Sequence, residues 1–136
     1  MRAFLHPTML ENLNTRTLRL PFPPSLNRAY RAAAGRVLLS KPARQYAVAV
    51  RNALPPGRPE RIEGRLFVAI ELWPPAKLAN KAWDVANREK LICDALTKAG
   101  FWRDDSQIDS ISIMRWPYAE TSPLGAARVT VTILSA

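Results

Sequence analysis

The sequence predicts an α+β fold: a two-layer domain in which a mixed β-sheet has two helices packed on it. Three observations carry that prediction. The segments run strand, helix, strand, helix, strand, strand, an order that favours helices laid over one sheet. The strand segments alternate apolar and polar residues, while the helical ones repeat apolar residues at three- and four-residue spacing. Hydrophobic residues make up 48% of the 136, enough for one packed core and one domain. That domain is expected over residues 17–136, behind an N-terminal extension, 1–16, of mixed polarity and no sustained period.

The first strand is Thr17 to Leu20, stopped by Pro21, Phe22, Pro23 and Pro24, since prolines fix an extended path and cannot donate to a central ladder. A polar loop follows with Ser25, Asn27, Arg28, Tyr30 and Arg31, open to two readings: a turn in which Asn27 bonds its own backbone, or a phosphate-contacting loop. Gly35 to Leu39 forms a second strand or hairpin arm. Ser40 caps a helix with Pro42 in its first turn, where a lost amide hydrogen costs little. Tyr46, Ala47, Val50, Ala53 and Leu54 give it an apolar stripe, and Pro55, Pro56 and Gly57 end it. Arg65 to Trp73 is the clearest strand, with Leu66, Val68, Ile70 and Leu72 on one face. After Pro74 and Pro75, a basic loop from Ala76 to Lys81 leads into the second helix. Strands at Asp109 to Trp116 and Arg128 to Leu134 close the domain.

Composition narrows the function. Twenty Lys and Arg against eleven Asp and Glu give a net charge of +9 and a pI near 10.6, which points to nucleic acid or an acidic membrane. No run of about 18 apolar residues exists to span a bilayer. The start, MRAFLHPTML, lacks the apolar core of a secretion signal. One cysteine, Cys93, excludes an intramolecular disulfide and fits a reducing, cytoplasmic setting; it is expected to pack rather than react. His6 is the only histidine, which argues against a zinc site or a histidine base.

The acidic residues concentrate in Trp83 to Ile108, WDVANREKLICDALTKAGFWRDDSQI. Leu91, Ile92, Ala95, Leu96 and Ala99 mark a helix there, Asp84 or Asn87 can cap its start, and Gly100 suits a left-handed C-terminal cap. Asp84 precedes it and Asp104 and Asp105 follow, so carboxylates about 20 residues apart can converge if the chain folds back. Carboxylates gathered in a cationic protein suggest a hard divalent metal held against a polyanion. Each has a plainer reading beside it. Asp84 can be a helix cap, Asp104 and Asp105 a solvated turn, and Lys90 a surface partner of Asp94. Trp102 can stack on a splayed base or lock the turn against the core; Trp73, Trp83 and Trp116 are expected in the core or an interface.

These residues also carry a resemblance. Asp84, Asn87 and Lys90 at three-residue spacing, DALTKAGFW from Asp94 to Trp102, the pair Asp104 and Asp105, and LPFPPSLNRAYR from Leu20 to Arg31 stand in the order and spacing of one family. Over Thr17 to Leu134 the chain resembles the RusA-type Holliday-junction resolvases, which are crossover-junction endodeoxyribonucleases. The resemblance implies a homodimer that cuts four-way DNA junctions with Mg2+, or Mn2+, and acts in recombination and repair. It implies Asp84 and Asp105 as metal ligands and catalytic residues, Lys90 as a catalytic cation beside the attacking water or scissile phosphate, and DNA contacts by Arg28, Arg31 and Lys81.

One position departs. The family's Asp-x-Asp-Asn reads Asp84, Val85, Ala86, Asn87 here, with alanine in place of the second aspartate. Natural decay and deliberate truncation both remain open, and in either case cleavage by this copy is expected to be impaired. Two other readings compete: a binding protein that holds branched DNA without cutting it, and a small basic RNA-binding protein whose aspartate turn is structural.

Overall fold

In a computed structural model, the structure describes residues 14–25, 30–33, 36–57 and 61–134. Strand β1 (Asn14–Leu20) begins three residues inside the expected N-terminal extension. A hairpin, β2 (Tyr30–Ala33) and β3 (Arg36–Leu39), forms a separate two-stranded sheet. Helix α1 (Lys41–Ala53) follows, capped by Ser40, whose hydroxyl accepts from the Ala43 amide at 3.3 Å. Then come β4 (Leu66–Trp73), helix α2 (Glu89–Lys98), β5 (Ile108–Arg115) and β6 (Ala126–Ile133).

The main sheet has the order β1-β6-β4-β5, with β6 antiparallel to both neighbours and β5 parallel to β4. It is therefore mixed, with two helices over it, as the alternating pattern predicts. Register explains the burial. Leu18, Val129, Ile70 and Ile113 form one inward row across the four strands. Leu20, Ala127, Leu72 and Arg115 form the next, which places Arg115 on the helix side at the edge. Val50 of α1, Ile92 and Leu96 of α2 and Trp102 complete this core, all essentially without exposure. The opposite face of β4, with Phe67, Ala69, Glu71 and Trp73, is less buried and has no helix over it among the described residues.

The second helix takes Arg88 as its N-terminal cap position, with no side-chain capping bond, in place of Asp84 or Asn87. Val85–Asn87 form a single 3-10 turn, and α2 begins only at Glu89. Arg88 stands at the break between them. It is buried in the loop between the two, where its Nη1 donates to the Pro23 carbonyl at 2.8 Å. Its guanidinium lies 5.0 Å from the Phe22 ring centre and 5.6 Å from that of Trp83. The proline segment after β1 is thus fastened to the start of the acidic region.

Candidate functional site

The site is built on the C-terminal end of α2. Gly100 adopts φ +76°, and its amide donates to Thr97 O while that of Phe101 donates to Leu96 O. This pair of bonds is a Schellman cap, which only a residue tolerant of positive φ completes cheaply. The cap turns the chain back under the helix and drives Phe101 and Trp102 into the core. Trp102 is fully buried, so of its two expected roles packing is the one observed, and base stacking is ruled out.

Burial obliges its indole N–H to find an acceptor. It donates to Thr97 Oγ1 at 2.6 Å and lies 3.3 Å from Asp105 Oδ1. The Thr97 hydroxyl in turn donates to the same carboxylate oxygen. Asp105, half-buried, is thereby fixed against the last turn of α2. Asp104 does something different. Its carboxylate accepts from the Ser106 amide, and Gln107 reaches back to the Asp104 amide at 2.9 Å, a reciprocal cap on the 3-10 turn Asp105–Gln107. These bonds to Ser106 hold the Asp104 carboxyl below the usual carboxylate range. Its plainer reading, a cap of the turn, is the one observed.

One turn before Thr97 stands Asp94, within hydrogen-bonding reach of Asp105. Burial pushes the Asp94 carboxyl up from the ordinary range; Lys90 opposes that rise, and the contact with Asp105 adds to it. Lys90 Nζ lies 3.4 Å from Asp94 Oδ1, the i,i+4 pair expected of this helix face. Asp94, Thr97, Asp104 and Asp105 border a cavity of about 330 Å3 whose apolar wall includes Leu39, Ala43 and Ala47. Cys93 sits behind them, its thiol pushed up to about 12 by burial, with Asp105, Asp94 and Glu89 adding to the effect. It is a packing residue and no nucleophile.

Asp84 stands apart from this group. It precedes the 3-10 turn, makes no capping bond with its side chain, and is the charge that acts on buried Arg88. Glu89 and Thr97 are eight residues apart, about 12 Å of helix, and Asp84 and Asp105 flank opposite ends of it. Among the described residues no group of three or more carboxylates, thiols or imidazoles gathers to hold an ion. Ala86 is exposed in the 3-10 turn. Because α2 begins at Glu89, Ala86 lies outside the helix that carries Lys90. Lys81 is exposed beside Trp83. Arg28 lies outside the described residues, as do the side chains of Asn87 and Arg31; the backbone of Arg31 belongs to β2, opposite Leu38.

Sequence reasoning treated Asp94 only as a partner for Lys90. Its spacing to Thr97 and position in DALTKAGFW were the available signals for more. Nothing local announces Gln107, whose side-chain amide donates to Ile62 O and Gly64 O, each at 3.0 Å, and so ties the acidic turn to the entry of β4.

The donor set bears on a metal. Asp94 and Asp105 offer hard oxygens side by side, and their mutual repulsion would be relieved by a cation. That chemistry fits Mg2+, which takes one or two carboxylates and keeps waters elsewhere. It does not amount to a closed three-carboxylate cage.

Comparison with known proteins agrees with the motifs. Residues 21–133 match the family model described as Endodeoxyribonuclease RusA. The chain is 34% identical over 127 residues to the crossover junction endodeoxyribonuclease RusA of Escherichia coli (strain K12), covering 88% of this chain and 96% of that protein. Proteins of the same name from Shigella sonnei (strain Ss046) and Enterobacteria phage 82 are each 32% identical over the same length and with the same coverage. With a family model matched over most of its length and relatives above 30% identity across nearly their whole lengths, the chain belongs to the RusA endodeoxyribonuclease family.

Proposed function

We propose that this chain is a structure-specific endodeoxyribonuclease of the RusA kind, acting on four-way DNA junctions as a Mg2+-dependent (or Mn2+-dependent) homodimer, with its own cleavage weakened at Ala86. The observation that carries this reading is the Asp105 carboxylate, fixed by Thr97 and Trp102 with Asp94 and Lys90 next to it, in a protein of net charge +9. Phosphodiester hydrolysis needs a placed nucleophilic water and relief of charge on the phosphate. A divalent ion held by Asp105, with Asp94 beside it, would supply Lewis acidity for both.

The chain's own residues do the rest. Asp105 keeps its orientation because its Oδ1 is occupied by the Thr97 hydroxyl. Lys90, on the solvent side of Asp94, offers its ammonium to the scissile phosphate. Arg28, Arg31 and Lys81 contribute phosphate contacts that set the register of the DNA. Two matched cuts in a four-way junction call for two sites, which a two-fold dimer presents.

At position 86 the family's aspartate is replaced by an exposed alanine, so one carboxylate fewer is available to align water, phosphorus and leaving oxygen. That alignment makes up much of the catalysis. Ala86→Asp is expected to raise cleavage of a labelled four-way junction at least about 100-fold, roughly 2.7 kcal/mol of barrier, with an unchanged melting temperature. Equal rates for the two proteins would remove position 86 from the ligand set.

Ala86 also favours a second reading, a branched-DNA-binding protein that does not cut. It predicts selective junction binding with no Mg2+-dependent nicking even after Ala86→Asp.

A further inference from the structure

At the far end of β4 and β5 an open cleft of about 360 Å3 is lined by Lys81, Trp83, Arg115, Trp116 and Tyr118, and among the described residues none that lines it is acidic. Trp116 is its most defined wall. The backbone amide of Trp116 donates to Leu72 O at 2.8 Å, extending the ladder of β5 one residue past its end. The ring stacks on Trp73 with centres 6.2 Å apart and planes 15° from parallel. Its indole N–H donates to Glu71 Oε1 at 3.1 Å. The same carboxylate accepts from Arg128 Nε at 2.7 Å and Nη2 at 2.8 Å, and that guanidinium lies 5.4 Å from the Trp73 ring centre. One carboxylate thus fastens the Trp116 indole and the Arg128 guanidinium, and both lie against the Trp73 ring. Trp116 nevertheless remains 38% exposed, where Trp102 is wholly buried.

An aromatic ring held by three separate contacts and still open to solvent is prepared to receive another flat ring, since its ordering cost is already met. The charges around it specify what that ring carries. Arg115 packs over Trp83 at 5.4 Å and donates to the Trp83 carbonyl at 2.9 Å, so its guanidinium is fixed at the rim, with Lys81 exposed nearby. A nucleotide combines a flat ring with a negative charge and so answers both features.

We propose that this cleft takes one unstacked nucleotide of a DNA strand, its base on Trp116 and Tyr118 and its phosphate beside Lys81 and Arg115. The proposal rests on the reading of the chain as a branched-DNA protein, and deepens it. In a linear duplex every base face is covered by its neighbours, whereas at a branch point a base can leave the stack at smaller cost. The cleft therefore favours branched over linear DNA, independently of the carboxylate site.

The test uses the full chain, a labelled oligothymidylate, a four-way junction and a linear duplex, with binding read by fluorescence anisotropy. Trp116→Leu is expected to weaken oligothymidylate binding about tenfold, Trp116→Phe to retain most of it, and both to bind linear duplex as wild type does. Lys81→Ala is expected to weaken oligothymidylate binding and to lower its salt slope by about 1. A second measurement needs no variant: a single strand carrying one 2-aminopurine should lose emission on binding wild type, because a stacked probe is quenched. Undiminished oligothymidylate binding by Trp116→Leu, or unquenched 2-aminopurine in the complex, overturns the proposal. If wild type binds the junction no better than duplex, the branched-DNA reading fails. If it prefers the junction and Trp116→Leu keeps that preference in full, the cleft assignment alone fails.

Discussion

Asp105 is positioned by two side chains that carry no charge. The Thr97 hydroxyl sits between the Trp102 indole and the Asp105 carboxylate, accepting from the indole and donating to the carboxylate. Thr97→Val keeps the shape and removes that link, leaving the buried indole N–H with only its longer approach to Asp105 at 3.3 Å. We expect it to lower stability by about 1–2 kcal/mol in thermal melts, and Thr97→Ser to recover most of the loss. Equal stability of the valine and serine variants would show that the link contributes nothing. The residues of this link were all legible in DALTKAGFW and the aspartate pair after it. The link itself was not, because it closes around a helix cap and depends on the rotamers of three side chains. Asp94 illustrates the same limit. A carboxylate four residues after a lysine reads as half of a surface pair, and that pair exists. Its second neighbour, Asp105, comes from beyond the cap.

At the scale of elements, periodicity located both helices and every strand of the main sheet, since each buries one face and the burial imposes the period. It did not locate the residue at which the second helix is capped. An arginine reads as surface, yet Arg88 is buried against nearby Trp83 and against Phe22 and Pro23, which belong to a segment some 65 residues earlier. The loop before β6 holds a comparable constraint. Gly125 has φ +74°, and a β-carbon there would lie 2.7 Å from Trp73 O and 2.8 Å from Pro75 N, both backbone atoms that cannot move aside. Gly57 has a similar φ of +64° but nothing within 4 Å. Gly57→Ala is therefore expected to cost about 1–2 kcal/mol, the penalty of the left-handed conformation alone. Gly125→Ala should cost more, at least about 3 kcal/mol, since a steric collision is added to that penalty. Denaturant melts of the two variants make the comparison, and equal losses would remove the collision from the account.

For the whole molecule the dominant quantity is charge. On the proposed function, twenty basic residues on a chain of 136 imply that junction binding proceeds by release of counterions, so affinity should fall steeply and log-linearly with salt. A titration in rising NaCl checks this, and an affinity indifferent to salt would exclude an electrostatic interface. Charge was legible from composition, as was the two-layer architecture from the order of elements. Strand order was not, because alternation marks which residues face inward and says nothing of which strand lies beside which.

That order has a consequence for biosynthesis. The sheet runs β1-β6-β4-β5, so β6 lies between the first strand and the two middle ones, although it is translated after all of them. Until Ala126–Ile133 leave the ribosome, β1 has no partner in the main sheet, and β4 has only β5. A nascent chain of this domain therefore cannot complete its core by stages; it closes in one late event when the final strand inserts. Chains terminated before residue 126 should be substrates for proteolysis rather than partly active fragments. A domain assembled this way becomes competent only once it has been made in full.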